Sequence, residues 1–234
     1  MSIGEGGPGK MHSGDRRTPL GVYFVTEQLD TSKLHEKYGV TAFPLDYPNA
    51  WDQRADRDGD GIWVHGVQRN GGQRPERDTD GCIALANKDL GVLADAFEDN
   101  VTPVLVTREV IWDETSGNNA LRAELESHLA EWAASKAEGD FFSFLSLYDD
   151  DFKRWGMDKT EWSFLQLQSA RKRAIRKVTI NELLLLAYPD EDDLYLSRFR
   201  QTVRDTEREI TSTTRLYWRR NASGFLKIIA EDEG

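Results

Sequence analysis

The chain has 234 residues, enough for two compact domains or one large one, and its 38% hydrophobic and 30% charged content is that of a folded protein. A net charge of −11, with the acidic excess present in both halves, offers no basic face to nucleic acid and disfavours an anionic membrane surface. No apolar run approaches the ~20 residues that cross a bilayer, and a single cysteine allows neither an intramolecular disulfide nor a cysteine-based zinc site.

Ser2 to Arg17 is rich in glycine and charge and reads as a loop. Leu20 to Thr26, bulky and partly β-branched after a Thr18-Pro19 turn, predicts a strand. Residues 27–58 show no period beyond a short helix expected at Ser32 to Tyr38. Gly61 to Gly66 predicts a second strand with His65 near its end, and a polar stretch leads on to Cys82. Asn87 to Asn100 is expected as a helix with Leu90, Leu93, Ala94 and Phe97 on one face, and Pro103 to Thr107 as a third strand.

The texture changes after Ile111. Asn118 or Asn119 can cap a helix whose stripe is Leu121, Leu125, Leu129 and Trp132 and which ends before Gly139. Helical pattern returns at Phe141 to Phe152, and again from Asp158, where Glu161 completes a capping box, to Arg176. Strands follow at Val178 to Tyr188, Leu194 to Asp205, Ile210 to Arg220 and Phe225 to Ala230. In the third of these, Leu216 and Trp218 alternate with Arg215, Tyr217 and Arg219, which predicts one buried and one wet face. Asn221 to Gly224 reads as the hairpin turn into the last strand. Helices followed by an antiparallel sheet make an α+β domain, with the boundary near residues 111–119.

Chemistry concentrates at His65-Gly66 and at Thr79-Asp80-Gly81-Cys82, with sixteen residues between His65 and Cys82. Only a thiolate attacks carbonyls well, and an imidazole within hydrogen-bond reach can take the thiol proton and return it to a leaving amine. A glycine before the nucleophile permits a tight turn and leaves N–H groups to hold an oxyanion. The alternative for the same residues is a buried thiol beside a histidine that caps a strand.

This pair of motifs resembles the L,D-transpeptidase (YkuD-type) family of bacterial cell-wall enzymes, which couples His-Gly or His-Ser to Ser/Thr-x-Gly-Cys in the same order and spacing. Gly14 to Tyr23, with its Gly-Asp, Thr-Pro, Gly and Tyr, is similar to that family's upstream segment. Asp80 stands where many members have His, and Ala84 where many have Arg or Asn. Those departures resemble a branch that includes enzymes hydrolysing wall peptides or releasing attached protein, as well as cross-linkers. Phe141 to Trp155, Trp162 and the closing strands resemble an NTF2-like fold, and L,D-carboxypeptidases with roles in cell shape combine the two domains.

The resemblance implies a mainly β catalytic domain of L,D-transpeptidase-like sheet fold over residues 1–110, a linker helix over 111–139, and an α+β NTF2-like domain over 140–234. It implies Cys82 as acylated nucleophile, His65 as base, the Gly66 carbonyl as the group that orients the imidazole, and the N–H groups of Gly81 and Cys82 as oxyanion donors. No metal or organic cofactor is needed. The expected partner is the stem peptide of peptidoglycan, and the expected compartment is the periplasm, although Met1 to Lys10 carries no apolar leader core. Trimming of tetrapeptide to tripeptide stems is favoured. Forming cross-links or releasing wall-linked protein is the alternative, and a non-catalytic wall-binding module or an unrelated cysteine hydrolase are others.

Around this core, Thr79, Asp80 and Gly81 are expected at the substrate. Asp80 would hold an approaching ammonium in its charged, non-nucleophilic form and so favour water over an acceptor amine. Trp63 is a candidate wall of the groove, and Arg77 a partner for a stem-peptide carboxylate. Ile3-Gly4 looks like the tail of a strand, so strands that open the family's catalytic domain are expected to be missing and to leave an open edge beside residues 1–20. Asp56 to Gly61 begins like a calcium loop, but its twelfth position is Val67, so a solvated turn is expected. The basic run Arg171 to Lys177 reads as a solvated helix face, with docking to an acidic wall polymer as the alternative. His12, His35 and His128 lack partners at metal-ligand spacing and read as surface or loop residues.

Overall fold

A computed structural model of the chain describes residues 1–110, 119–172 and 175–234. Backbone packing divides it into two units, Met1–Val110 and Ile111–Gly234. The expected boundary and the Asn118 cap fall on residues 111–118, outside the described residues, as do residues 173 and 174 of the basic run.

The first unit runs β1 (Ile3–Gly4), β2 (Gly21–Phe24), β3 (Ala42–Pro44), α1 (Ala50–Arg54), β4 (Trp63–Gly66), β5 (Arg77–Thr79), β6 (Ile83–Leu85), α2 (Asn87–Ala94) and β7 (Pro103–Val106). These strands form three small sheets: β1 parallel to β5, β2 antiparallel to β7, and β3-β4-β6 in that order. Cross-strand register explains which residues enter the core. Phe43 pairs with Val64 and Val64 with Ile83, so all three share one face and pack with Tyr23, Leu45 and Leu90. Helix α2 stops at Ala94 rather than Asn100. The chain turns there, with the Thr102 hydroxyl donating to the Ala96 carbonyl, and Phe97 meets Phe43 edge-on at 4.7 Å. Leu93, expected on the buried face, is exposed. Helix α1 arises in the stretch read as irregular, where Asn49 and Asp52 form a reciprocal capping box.

The second unit runs α3 (Asn119–Glu138), α4 (Phe141–Ser146), β8 (Tyr148–Arg154), β9 (Met157–Asp158), α5 (Lys159–Lys172), β10 (Lys177–Ala187), β11 (Leu194–Arg204), β12 (Glu209–Arg220) and β13 (Leu226–Glu233). Its strands form one sheet of order β10-β11-β12-β13-β8-β9. The helix expected as a linker belongs to this unit's core: Leu125, Leu129 and Trp132 of α3 pack with Phe144, Trp162, Leu216 and Trp218.

Two expectations fail here for physical reasons. Residues 148–154 are strand, not helix. Between the pairs Ile228–Tyr148 and Ala230–Lys153, β13 advances two positions while β8 advances five. That bulge over Asp149 to Asp151 buries Tyr148 and Phe152 four residues apart, the spacing a helix would give. Around the middle of β12 neither face is wet, since Leu216, Tyr217 and Trp218 are all fully buried. The face expected in water carries an ion pair between Arg215 and Asp232 and a Tyr188–Tyr217 ring contact at 6.0 Å.

A polar chain crosses the core. Trp132 Nε1 donates to Tyr148 Oη (2.9 Å), Tyr148 donates to Glu231 (2.9 Å), and Arg154 pairs with Glu231 and with Glu233. Buried charges of this kind are costly to leave single. Arg154→Met should lower unfolding free energy by about 3 kcal/mol in urea titrations, and adding Glu231→Gln should restore part of the loss. A single variant within 0.5 kcal/mol of the parent, roughly the scatter of surface changes, would show the pair to be unimportant.

Candidate active site

Strands β4 and β6 run parallel, with Val64 opposite Ile83 and His65 opposite Ala84. Because Val64 and Ile83 enter the core, alternation sends Trp63, His65 and Ala84 to the other face. Cys82 lies just before β6, two positions from Ala84, so the register carries the thiol to the face that bears His65. Electrostatics agree: Lys37 and Arg74 are charge neighbours of both His65 and Cys82.

The glycine after the histidine is required by packing. A Cβ on Gly66 would stand 2.1 Å from Asn87 Oδ1 and 3.1 Å from Gly39 Cα. Gly39, at φ +71°, closes the segment expected as a short helix, which forms 3₁₀ turns at Thr31–Lys33 and Glu36–Tyr38. A Cβ there would come within 2.4 Å of the Val67 carbonyl. The two glycines thus let this segment close against the end of β4. Tyr38 then meets the imidazole edge-on at 5.2 Å and the Trp63 ring at 5.0 Å.

His65 is 2% exposed, and its Nδ1 lies 2.7 Å from the Gly66 carbonyl. A carbonyl only accepts, so Nδ1 carries the proton and Nε2 keeps its lone pair. Burial pushes the imidazole down to about 4, with the Gly66 carbonyl opposing and the charges of Arg74 and Lys37 adding to the effect. At pH 7 the ring is neutral and able to accept a proton.

Cys82 is half-buried and donates its S–H toward the Gly61 carbonyl at 3.3 Å. Burial pushes the thiol up; the Trp63 N–H, Lys37 and Arg74 pull the other way and Asp80 adds to the rise. The resting pair is therefore thiol and neutral imidazole. This arrangement suits general-base catalysis, in which the proton leaves sulfur as sulfur attacks.

The turn that presents Cys82 is braced on both sides. Gly81 has φ +130°, and a Cβ on it would stand 2.8 Å from the Arg17 carbonyl. Thr79 Oγ1 donates to the Cys82 carbonyl at 2.7 Å and accepts the Gly81 N–H at 3.2 Å. Fully buried Thr18 donates to the Gly81 carbonyl and accepts the Gly4 N–H, both at 2.9 Å.

These bonds revise several expected roles. Thr79 and the Gly81 N–H are committed to the turn rather than facing substrate, which removes Gly81 as an oxyanion donor. Asp80 is exposed and paired with Arg16 (Oδ1–Nε 3.2 Å), a contact that draws part of its charge away from an arriving ammonium. Arg77 lays its guanidinium over Gly7, where a Cβ would sit 3.4 Å from its Cζ. Trp63 does sit beside His65 and Cys82. Sequence reasoning gave no role to Lys37, Tyr38, Arg74, Asn87 or Thr18, although Lys37 and Tyr38 lay in an expected short helix, Asn87 at the start of the next one, and Thr18 in an expected turn. In the Asp56–Gly61 loop, Asp58 accepts the Ser13 N–H, and among the described residues no three His, Cys, Asp or Glu side chains are grouped to hold a metal.

Two outcomes follow from this geometry. The His65 ring should titrate near 4 in NMR, leaving it neutral at pH 5.5; a midpoint at its ordinary 6.5 would contradict the burial described. Gly66→Ala should lose roughly 2 kcal/mol or more, as overpacked positions do, with partial recovery in the Gly66→Ala/Asn87→Gly double variant. Equal thermal midpoints for parent and single variant would count against the close contact.

Residues 1–106 match the L,D-transpeptidase catalytic domain model, YkuD, and residues 124–232 match that of the Cds6 C-terminal NTF2-like domain. Among solved structures, the chain is similar to Bd1075 of Bdellovibrio bacteriovorus, at 25% identity and TM-score 0.74 over 99% of this chain and 80% of that one. It is also similar to the helical cell shape determining protein Pgp2 of Campylobacter jejuni, at 26% identity and TM-score 0.77 over 95% and 78%. No curated protein matches it by sequence. Among the described residues no helix is long and apolar enough to cross a membrane. The matched catalytic family acts on peptidoglycan. Residues 1–106, with their buried histidine and lone thiol, are a catalytic domain of the L,D-transpeptidase family, and residues 124–232 are an NTF2-like domain of the Cds6 C-terminal type.

Proposed function

We propose that the protein is an L,D-carboxypeptidase that trims tetrapeptide stems of peptidoglycan to tripeptides through a Cys82 acyl-enzyme, and that it works in the periplasm. The observation that carries the chemistry is the neutral His65, its Nδ1 proton fixed on Gly66, on the same sheet face as the chain's lone thiol. Sulfur attacks the carbonyl carbon at the L-centre of the third residue while Nε2 takes its proton. The oxyanion is held by the Cys82 N–H. Collapse breaks the C–N bond, and Nε2 returns the proton to the departing D-residue's nitrogen. Water then adds to the thioester with His65 again as base, the C–S bond breaks, and sulfur regains its proton.

Hydrolysis is preferred to transfer because the same pairing of domains extends over 95% of this chain in its match to the helical cell shape determining protein, and because the motif reads Thr79-Asp80-Gly81-Cys82. Pairing with the exposed Arg16 reduces the electrostatic help that Asp80 gives this preference. Incubation with tetrapeptide muropeptides and excess acceptor should yield tripeptides by mass. Predominant dimers joined through their third residues would instead assign transpeptidation. Cys82→Ala should abolish turnover with little change in thermal midpoint, whereas His65→Ala should be strongly slowed at neutral pH and partly recover in alkali, where the thiolate forms unaided. Unchanged turnover by Cys82→Ala would remove the acyl-enzyme.

A further inference from the structure

Two cations lie near the site in a chain whose net charge is −11. Lys37 and Arg74 arrive from different segments, and each acts on both the nucleophile and the base. Both segments are anchored. The Lys37 N–H is held by His35 Nδ1 at 3.2 Å, and Arg69 donates to the Thr31 and Leu34 carbonyls, tying the 3₁₀ turns to the loop after β4. The Lys37 ammonium lies 5.1 Å from the centre of the Tyr38 ring, the same ring that meets His65 and Trp63. No carboxylate among the described residues pairs with it. Arg74 commits Nε and Nη2 to Asp78 at 3.0 Å each, which fixes the guanidinium and leaves Nη1 for another partner. Asp78 adjoins Thr79, whose hydroxyl holds the Cys82 carbonyl, so Arg74 is fixed in place relative to the nucleophile's turn. Of the nearby anions, the Asp78 carboxylate is paired with Arg74 itself and Asp80 with Arg16.

A structural explanation, that the cations exist to hold the thiolate, fits poorly. Their pull is outweighed by burial at Cys82, and at His65 the same charges oppose the imidazolium that catalysis must form. A ligand anion resolves the conflict, because it would neutralise Lys37 and share with Asp78 the charge of Arg74 as the substrate binds. In an exopeptidase substrate, the leaving residue places its carboxylate two bonds from the nitrogen that departs. A cation that holds this group must therefore sit beside the nucleophile, not against it.

Resting on the trimming reading above, we infer that Lys37 and Arg74 together hold the free C-terminal carboxylate of the peptide being cut, and so restrict the site to bonds followed by a single residue. Both are specificity residues. Neither takes part in bond making or breaking.

The test compares one tetrapeptide stem carrying a free C-terminal carboxylate with the same stem as its C-terminal amide, using the whole chain. A charge-assisted hydrogen bond contributes roughly tenfold or more, so kcat/KM should favour the acid by at least about that factor, chiefly through KM. Lys37→Met and Arg74→Gln should each shrink the acid-to-amide ratio, and the double variant should bring it to about one. Iodoacetamide labelling across pH is run in parallel to report on the thiol. A parent that cuts acid and amide equally overturns the inference while leaving trimming intact. So does a double variant that loses both substrates in proportion with a shifted labelling profile, since the cations would then serve the thiol. A parent that cuts neither substrate instead removes the trimming reading itself.

Discussion

The site depends on one buried hydroxyl. Thr18 Oγ1 donates to the Gly81 carbonyl and accepts the Gly4 N–H, so a single side chain ties the first strand, the loop before the second and the turn that presents Cys82. That turn needs outside support. Gly81 sits in a backbone region that side chains avoid, and its flank at Arg17 is too close for a Cβ. The Thr79 hydroxyl closes the turn from within. The upstream Gly-Asp…Thr-Pro segment therefore owes its place beside the catalytic motif to bracing: it never needs to touch substrate to be indispensable to the geometry.

Burial sets the chemistry that this geometry can perform. Moving the imidazole from its ordinary 6.5 to about 4 makes its charged form harder to reach, a difference on the order of 3 kcal/mol at about 1.4 kcal/mol per unit. The thiol moves the other way for the same reason, since neither charge is welcome in a site poor in water. Both groups rest neutral, and the charged pair is approached only as bonds change. The Gly66 carbonyl contributes direction: it fixes which nitrogen holds the proton and which accepts one.

What was legible in the sequence follows the reach of each signal. His65 and Cys82 stood out because their spacing along the chain is itself the signal, and bulky or β-branched runs predicted β2, β4 and β7 to within a few residues. Local period misled where tertiary structure altered it, as at the bulge in β8 that gives Tyr148 and Phe152 a helical interval. Polarity misled on β12, where Arg215 is buried because Asp232 across the ladder pairs with it. Lys37, Tyr38 and Arg74 could not be found at all, since what distinguishes them is proximity through space to residues at positions 65 and 82. Arg77 and Arg74 illustrate the limit: three residues apart and alike in composition, one packs over Gly7 and the other acts on the nucleophile.

The protonated state of the resting thiol has a consequence for durability and for inhibition. Oxidation to sulfenic acid and capture by soft electrophiles both proceed through the thiolate. A sulfur stored as S–H against the Gly61 carbonyl is therefore poorly supplied to either reaction. The chain has no second cysteine with which to resolve an oxidised one, so slow oxidation is its main chemical protection. For the same reason, compounds chosen for general thiol reactivity would select against this enzyme. On the proposed mechanism, those that present a strained acyl carbon where His65 can collect the proton would use the route by which the sulfur becomes a nucleophile.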